Sequence, residues 1–189
     1  MIRERSELDA IASELHASGQ PIALDLETYG TSEDKKIRKG ETLDPWRGEI
    51  RLLSLQLPDR VPWLIDLRAT GYGLGELGKV LEATEATEVI GHNIKFDALW
   101  LARKCNVHLV KMVDTSSASR ILSNGDSKLG NGLAEVADRY LGIELRKDQG
   151  RSDWGVLMLL AEQIQYAVQD VEHLHALKER LNAELNAAG

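Results

Sequence analysis

The segment from Ile22 to Gly30 constrains the fold of this chain more than any other stretch of the sequence. Its apolar residues alternate with Ala23, Asp25 and Glu27, and this period of two predicts a β-strand. Because residues i and i+2 of a strand face the same side, Asp25 and Glu27 are predicted to stand side by side at the end of an apolar strand. Two neighbouring carboxylates repel each other unless one takes up a proton or both bind a cation.

This acidic pair permits two interpretations. Exposed acids at the end of a strand are common and need no function. However, the apolar residues of the segment favour a central strand, and α/β sheets place their functional sites at the carboxyl ends of such strands. If the pair binds a cation, its oxygen ligands favour a hard ion such as Mg²⁺ or Mn²⁺.

The bulk composition is that of a soluble globular protein. The 189 residues suffice for one domain with a sizeable core, and 43% of them are hydrophobic and 28% charged. The formal net charge of −7 argues against non-specific binding to nucleic acid, whose backbone is also negative. Cys105, the single cysteine, cannot form an internal disulfide, and the charged N-terminus has no signal-peptide core, so we expect a cytoplasmic protein with no membrane partner.

The order of the apolar patterns predicts a single α/β domain over residues 1–189, with a mixed β-sheet flanked by α-helices. Residues 49–57 and 61–67 have strand patterns joined by a tight link, which predicts an antiparallel hairpin. Between Tyr29 and Gly48 the pattern is lost, so we expect a long polar loop rich in lysine and arginine. Apolar residues from Ile164 to Leu185 form one stripe, which predicts a single long helix.

A third carboxylate occurs in the segment "GHNIKFDALWL", where Asp97 follows Asn93 by four residues. Asn93 is well placed to cap the helix that begins there, which would account for this residue without any function. Asp97 lies beside the apolar stripe of the helix, although acids in a first helical turn are also common on protein surfaces. By itself this motif is not decisive.

A fourth carboxylate occurs in "QYAVQDVEHLHAL", where Tyr166 and Asp170 are four residues apart. On a helix this spacing places both side chains on one face. The neighbouring apolar residues, Ala167, Val168 and Val171, put that face close to the core. A solvated tyrosine above an aspartate is the alternative.

Taken in their order along the chain, the three motifs are much more specific. D-x-E, then N-x-x-x-D, then Y-x-x-x-D resembles the exonuclease motifs of the DnaQ-like, or DEDD, 3′–5′ exonuclease superfamily. The residues at the four carboxylate positions of that family are Asp25, Glu27, Asp97 and Asp170. Tyr166, four residues before the last aspartate, is typical of the tyrosine branch.

The resemblance extends beyond the motifs. Residues 43–67 are similar to the strands of proofreading domains of the DNA polymerase I type, and residues 132–155 resemble a segment of ribonuclease D. The similarity covers residues 21–177 in all, and it implies a ribonuclease H-like fold.

The resemblance also implies a metal-dependent enzyme. In this family two divalent ions, Mg²⁺ or Mn²⁺, bind between the carboxylates and assist phosphodiester hydrolysis. Asp25 would bridge both ions. Glu27 and Asp170 would complete the site of the ion that activates water, and Asp97 would hold the second ion. Tyr166 would orient the attacking water, since a phenol with a pKa near 10 is a poor base.

The same resemblance implies contacts to the terminal nucleotide at the residues inside and after the D-x-E motif. The candidate substrate-binding residues are Leu26, Thr28, Tyr29, Asn93 and Phe96. Basic residues of the Tyr29–Gly48 segment, together with Arg146, Lys147 and Arg151, would offset the negative charge locally, or are simply solvated.

We therefore expect a stand-alone 3′–5′ exonuclease that releases nucleoside 5′-monophosphates from a single-stranded or frayed 3′ end. DNA is the favoured substrate, and RNA or short oligoribonucleotides are the alternative. A catalytically inactive nucleic-acid-binding module would lack one of the five catalytic residues, and an internally cutting nuclease of the ribonuclease H type would lack the Y-x-x-x-D helix. The sequence leaves the oligomeric state open, a homodimer included.

Overall fold

The computed structural model describes residues 1–83, 88–126, 128–146 and 148–188. Within these ranges five strands form one mixed sheet in the order β3-β2-β1-β4-β5. The strands are β1 (Ile22–Tyr29), β2 (Glu49–Gln56), β3 (Trp63–Asp66), β4 (Val89–Gly91) and β5 (Met112–Asp114). Strand β1 is antiparallel to β2 and parallel to β4, and β2 and β3 form the predicted antiparallel hairpin. The acidic pair thus stands on the central strand, as its apolar residues predict.

Helices cover both faces of this sheet. The described helices are α1 (Leu8–Ser18), α2 (Lys35–Glu41), α3 (Leu67–Thr70), α4 (Glu76–Glu82), α5 (Lys95–Trp100), α6 (Thr115–Leu122), α7 (Leu133–Leu141), α8 (Ala161–Glu172) and α9 (Leu174–Ala188). In the part of the chain that the structure describes, none of them is both long and apolar enough to cross a bilayer. A mixed sheet with helices on both faces confirms the predicted fold class.

The alternation along β1 sorts its side chains between the two faces. Leu24 and Leu26 belong to the larger hydrophobic cluster, which α1, α4 and α5 complete. Ala23 packs instead against Val171 of α8. Since side chains alternate along a strand, Asp25 continues the face that α8 covers, and the helix with the Y-x-x-x-D motif lies over the acidic pair.

The prediction of a loop without regular structure between Tyr29 and Gly48 is wrong, because this segment contains helix α2. The Asp34 side chain caps the helix by accepting from the backbone N–H groups of Lys36 and Ile37. Seven residues with a polar surface are too few to show an apolar period, so the pattern gives no sign of the helix. At its end, the buried carboxylate of Glu41 accepts from the N–H groups of Thr31 and Ser32.

The prediction of a single long helix is also wrong, because the chain bends at His173 between α8 and α9. Helix α8 packs against β1 and β2, whereas α9 packs against α6 and α7. The direction of each helix is set by the elements it packs against. The continuous apolar stripe in the sequence does not show that these elements differ between α8 and α9. The break leaves α8 free to lie along the sheet over the acidic pair.

Candidate active site

Three of the predicted carboxylates converge. Strand β1 supplies Asp25 and Glu27, helix α8 supplies Asp170, and one oxygen of each lies within 4.8 Å of the others. Glu27 is buried, whereas Asp25 and Asp170 retain part of their exposure. The fold therefore brings Asp170 together with Asp25 and Glu27 of the central strand, although Asp170 is more than 140 residues away in sequence.

Asp97 lies next to this group. It is 4% exposed, and its Oδ1 accepts a hydrogen bond of 3.0 Å from the backbone N–H of Leu26. This bond fixes helix α5 to β1 between the two acids of the D-x-E motif. The charge of Asp97 acts on Asp25, whose pKa it raises. The alternative of a solvated surface acid is excluded for this residue.

Burial makes the charged form of this cluster unfavourable. Loss of solvation raises the pKa of Asp25 and of Glu27 well above their ordinary values, and the neighbouring carboxylates raise them further. Burial likewise raises the pKa of Asp97 to about 8 and that of Asp170 to about 7. An oxygen-only donor set of mutually repelling acids, buried at Glu27 and Asp97 and partly buried at Asp25 and Asp170, fits a hard divalent cation, which would replace the protons and offset the repulsion.

Tyr166 lies one helical turn before Asp170. Its hydroxyl donates to the Asp170 carboxylate, which lowers the pKa of Asp170 against the effect of burial. Burial first, and then the charge of Asp170, raise the pKa of Tyr166 above its ordinary value. The ring packs against Trp154 at a centroid distance of 6.3 Å. Tyr166 is therefore a protonated hydrogen-bond donor, as the sequence analysis expects of a poor base.

Two cavities flank the carboxylates. The inner cavity, of about 250 Å³, is lined by Asp25, Tyr166 and Asp170. The outer cavity, of about 750 Å³, is lined by Glu27. It also holds four of the five predicted substrate-binding residues, namely Leu26, Thr28, Tyr29 and Phe96. The acidic cluster thus lies between a small cavity and one large enough for a ligand of drug size.

Asn93 does not join that group. It lines a separate cavity of about 770 Å³ with Arg120 and Asn131. The interpretation of Asn93 as a helix cap is wrong, because helix α5 begins after Ile94 and no side chain caps it. Asn93 has a φ of 60°, and its backbone N–H donates to Asp114 Oδ1 at 2.8 Å. Asparagine tolerates this left-handed conformation better than most residues do.

The wall loop, residues 148–160, closes the outer cavity on one side. Gly150, Arg151 and Trp154 line the cavity from this loop. Arg51 of β2 is 1% exposed and donates to the carbonyl oxygens of Trp154, Val156 and Leu157. Its guanidinium Nε also lies 3.2 Å from Asp66 Oδ1. Arg51, buried in the sheet, therefore fixes the position of the wall loop.

The motifs do not mark every residue of the site. His92 lines the inner cavity, and its ring nitrogens contact Thr115 Oγ1 and the Asn131 carbonyl, each at 2.9 Å. Its place directly after β4, beside the carboxyl end of β1, is the signal that indicates it. Arg146 also lines the inner cavity, whereas Lys147 lies outside the described residues.

Some of the basic side chains predicted to offset the negative charge line the outer cavity, and others do not. Those that line it are Lys35, Arg38, Lys39 and Arg151. Lys36, on the same helix, is exposed and does not line the cavity. The net charge of the chain thus conceals a local group of cations beside the acidic cluster.

Comparison with known proteins agrees with this geometry. The family described as 3′–5′ exonuclease matches the chain over residues 1–186. DNA polymerase I of Aquifex aeolicus is 28% identical over 124 residues, which are 66% of this chain and 20% of that protein. Ribonuclease D of Haemophilus influenzae is 39% identical over 74 residues, which are 39% of this chain and 18% of that protein. The chain thus spans about a fifth of the length of either relative.

One solved structure, Brucella melitensis NrnC bound to pGG, superposes with a TM-score of 0.76 and 26% identity. The alignment covers 90% of this chain and 75% of the NrnC chain.

Proposed function

The chain belongs to the 3′–5′ exonuclease family, and from this membership we propose a specific reaction: metal-dependent removal of nucleoside 5′-monophosphates from a single-stranded 3′ end. The observation that carries the proposal is the convergence of Asp25, Glu27 and Asp170 within 4.8 Å, between two cavities. Buried Asp97 stands beside them on the backbone of β1. This constellation suits hydrolysis of a phosphodiester bond at the end of a strand.

The four carboxylates would hold two divalent ions, Mg²⁺ or Mn²⁺. When bound, such ions lower the pKa of water and stabilise charge on the phosphoryl and leaving oxygens. The protein supplies the positions of the ligands: β1 fixes Asp25 and Glu27, while the bond from Leu26 N–H fixes Asp97. Because the ligands come from separate elements, their arrangement depends on the intact fold.

Tyr166 acts as a donor in this proposal. Burial and the neighbouring carboxylates raise its pKa, which favours the protonated phenol as a hydrogen-bond donor. The hydroxyl holds Asp170 through a hydrogen bond and faces the inner cavity, which Asp25 also lines. We assign it the orientation of the water rather than its activation.

The outer cavity receives the terminal nucleotide. The side chain of Thr28 donates to the Thr42 carbonyl, and Arg68 lies 5.9 Å above the ring of Tyr29. Because these contacts already occupy Thr28 and Tyr29, the partly exposed ring of Phe96 is the better candidate for stacking on a base. Such stacking contributes about 1–3 kcal/mol.

DNA is our first choice of substrate, because strands β2 and β3 belong to the segment that resembles proofreading domains. RNA is the second candidate, because ribonuclease D is among the relatives and NrnC is similar in structure with pGG bound. DNA and RNA are both compatible with the proposed exonuclease reaction. The choice between them depends on recognition of the 2′-hydroxyl, which the shape of the pocket determines.

The decisive experiment incubates the protein with 5′-labelled DNA and RNA strands of matched sequence, in Mg²⁺, Mn²⁺ or EDTA. We expect a ladder that shortens from the 3′ end and disappears in EDTA and in Asp25→Asn. Asp9→Asn, which neutralises an exposed aspartate of α1, is the matched control and should retain activity. Internal cuts, or full activity of Asp25→Asn, would contradict the mechanism.

A further inference from the structure

We propose that Arg38 binds a phosphate of the substrate strand and that Asp153 holds its guanidinium until the strand arrives. This inference rests on the proposed function, because it places a nucleic-acid strand in the outer cavity. It assigns a strand-binding role to helix α2, which neither the motifs nor the carboxylate cluster requires.

Arg38 and Asp153 join two walls of the outer cavity. Arg38 belongs to α2 and Asp153 to the wall loop, and both line the cavity. Arg38 Nη1 lies 3.8 Å from Asp153 Oδ2. The pair therefore bridges the outer cavity between helix α2 and the wall loop. The proposed function places the substrate strand in this cavity.

Both partners come from well-fixed backbone. Gly30 packs so closely against the carbonyl of Arg38 that a side chain at position 30 would not fit. Asp153 Oδ1 accepts from the backbone N–H of Gly155 at 3.0 Å, and the Asp153 carbonyl accepts from Gln163 Nε2 at 3.2 Å. The ion pair is consequently not needed to position either segment.

The ion pair between Arg38 and Asp153 is weak, so another anion can replace Asp153 at the Arg38 guanidinium. The side chains of Arg38 and Asp153 are 34% and 49% exposed, and ion pairs this exposed contribute little to stability. A phosphate offers the guanidinium two acceptor oxygens and a fuller negative charge, which makes it the stronger partner. Strand binding would thus replace Asp153 by phosphate at Arg38, with Lys35, Lys39 and Arg151 in the same cavity.

Asp153 is then a competitor of the substrate. Its charge occupies Arg38 in the free protein and repels an incoming phosphate. Removal of that charge should tighten binding, whereas a merely structural ion pair would loosen it. The direction of this effect separates the two roles.

The test measures binding without turnover, by fluorescence anisotropy of a 5′-labelled short DNA or RNA strand in EDTA, in the Asp25→Asn background. Arg38→Gln should bind about tenfold more weakly, since a hydrogen bond to a charged group is lost. Asp153→Asn should bind about two- to fivefold more tightly, and it keeps the Oδ1 acceptor for Gly155. Lys36→Gln, on the same helix but outside the cavity, should leave affinity unchanged.

The double variant Arg38→Gln/Asp153→Asn should bind like Arg38→Gln alone. The proposal is overturned if Asp153→Asn binds no more tightly than its parent, if it tightens binding equally without Arg38, or if Arg38→Gln behaves like Lys36→Gln. Because no cleavage is read, the binding series and the ladder assay fail independently. Intact binding differences without a 3′ ladder would contradict the proposed reaction and leave the role of Arg38 standing.

Discussion

Asp97 and Asp170 have pKa values near 8 and 7 because burial, above all, removes the water that would stabilise their charge. In the unfolded chain both carboxyls return to ordinary values near 4. A carboxyl that binds its proton more tightly when folded stabilises the fold fully at low pH and loses that contribution as the pH rises through its folded pKa. The metal-free protein should therefore be least stable above the pKa values of its own active site.

We predict that the melting temperature of the EDTA-treated protein falls as the pH rises from about 4, the ordinary carboxyl value, to 7 and 8, the pKa values of Asp170 and Asp97, and levels off above them. Each group contributes a slope of up to about 1.4 kcal/mol per pH unit, and a loss of 1 kcal/mol lowers the melting temperature by about 2–4 °C in a chain of this size. Mg²⁺ should reverse the fall, since the ion replaces the protons.

Asp97→Asn is the matched variant for this melting series. The amide oxygen can still accept from Leu26 N–H, but the side chain no longer titrates. Its melting temperature in EDTA should depend less on pH than that of the wild type. A wild-type protein whose metal-free stability rises between pH 6 and 9 would show that the cluster is not strained by its charge.

For individual residues, the sequence predicts a role well when that role follows from the motif in which the residue lies. Local periodicity places Asp25 and Glu27 on a strand and Asp170 on a helix, the family resemblance marks all three as site residues, and the fold brings them together. The helix-cap interpretation of Asn93 is wrong because this residue has a φ of 60° and its N–H donates to Asp114, 21 residues away, which no local pattern reveals. The role of Arg51 in holding the wall loop could not be predicted, since the carbonyl oxygens it binds there lie more than 100 residues further along the chain.

Among the elements, the wall loop and helix α8 meet at a glycine. A Cβ at Gly150 would lie 2.8 Å from the hydroxyl of Tyr166, so any side chain there must displace the tyrosine or the loop. The loop cannot move freely, because Arg51 holds its carbonyl oxygens from the sheet. The position of the Tyr166 hydroxyl thus depends on the absence of a side chain on another element.

We predict that Gly150→Ala lowers the turnover number by between about tenfold and a hundredfold, because a displacement of about 1 Å costs about that much. The loss should approach that of Tyr166→Phe, measured by steady-state kinetics on the preferred strand. Gly40→Ala is the control: no atom lies within 4 Å of a Cβ there, so activity should persist. Wild-type turnover in Gly150→Ala would refute the packing argument.

The sequence predicts the elements unevenly, for physical reasons. Strand β1 and the hairpin of β2 and β3 are evident because their alternating or apolar runs are bounded by turn residues. Helix α2 is held by Asp34 and Glu41 rather than by an apolar face, so periodicity cannot reveal it. The break at His173 follows from a change of packing partner, which only the folded chain specifies.

Considered as a whole molecule, the protein is acidic, with a net charge of −7, yet it binds an anionic polymer in our proposal. Lys35, Arg38, Lys39 and Arg151 gather at one cavity, so attraction is confined to the few phosphates that reach it. The rest of a long strand would meet a predominantly negative surface. The fold therefore favours the end of a strand over its length.

We predict that affinity depends only moderately on salt. Four cations at the cavity limit the slope of log K against log [salt] to about −3 for a single strand. Affinity should also stop increasing once a strand exceeds a few nucleotides. Titrations of labelled strands of increasing length, at several salt concentrations and in the Asp25→Asn background, measure both quantities. A steeper slope, or affinity that keeps growing with length, would place phosphate contacts beyond the cavity.

The segment between β1 and β2 leaves and rejoins the sheet at one place, because Tyr29 pairs directly with Glu49. Its internal bonds run from the cap at Asp34 to the anchor at Glu41, and the Thr28 side chain of β1 bonds it to the sheet at the Thr42 carbonyl. A short hairpin turn between Tyr29 and Glu49 would therefore keep the pairing of β1 with β2. In our proposal the carboxylates lie on β1, α5 and α8, whereas three of the four cations of the outer cavity lie on this segment, so changes in the segment would alter strand binding without moving the carboxylates.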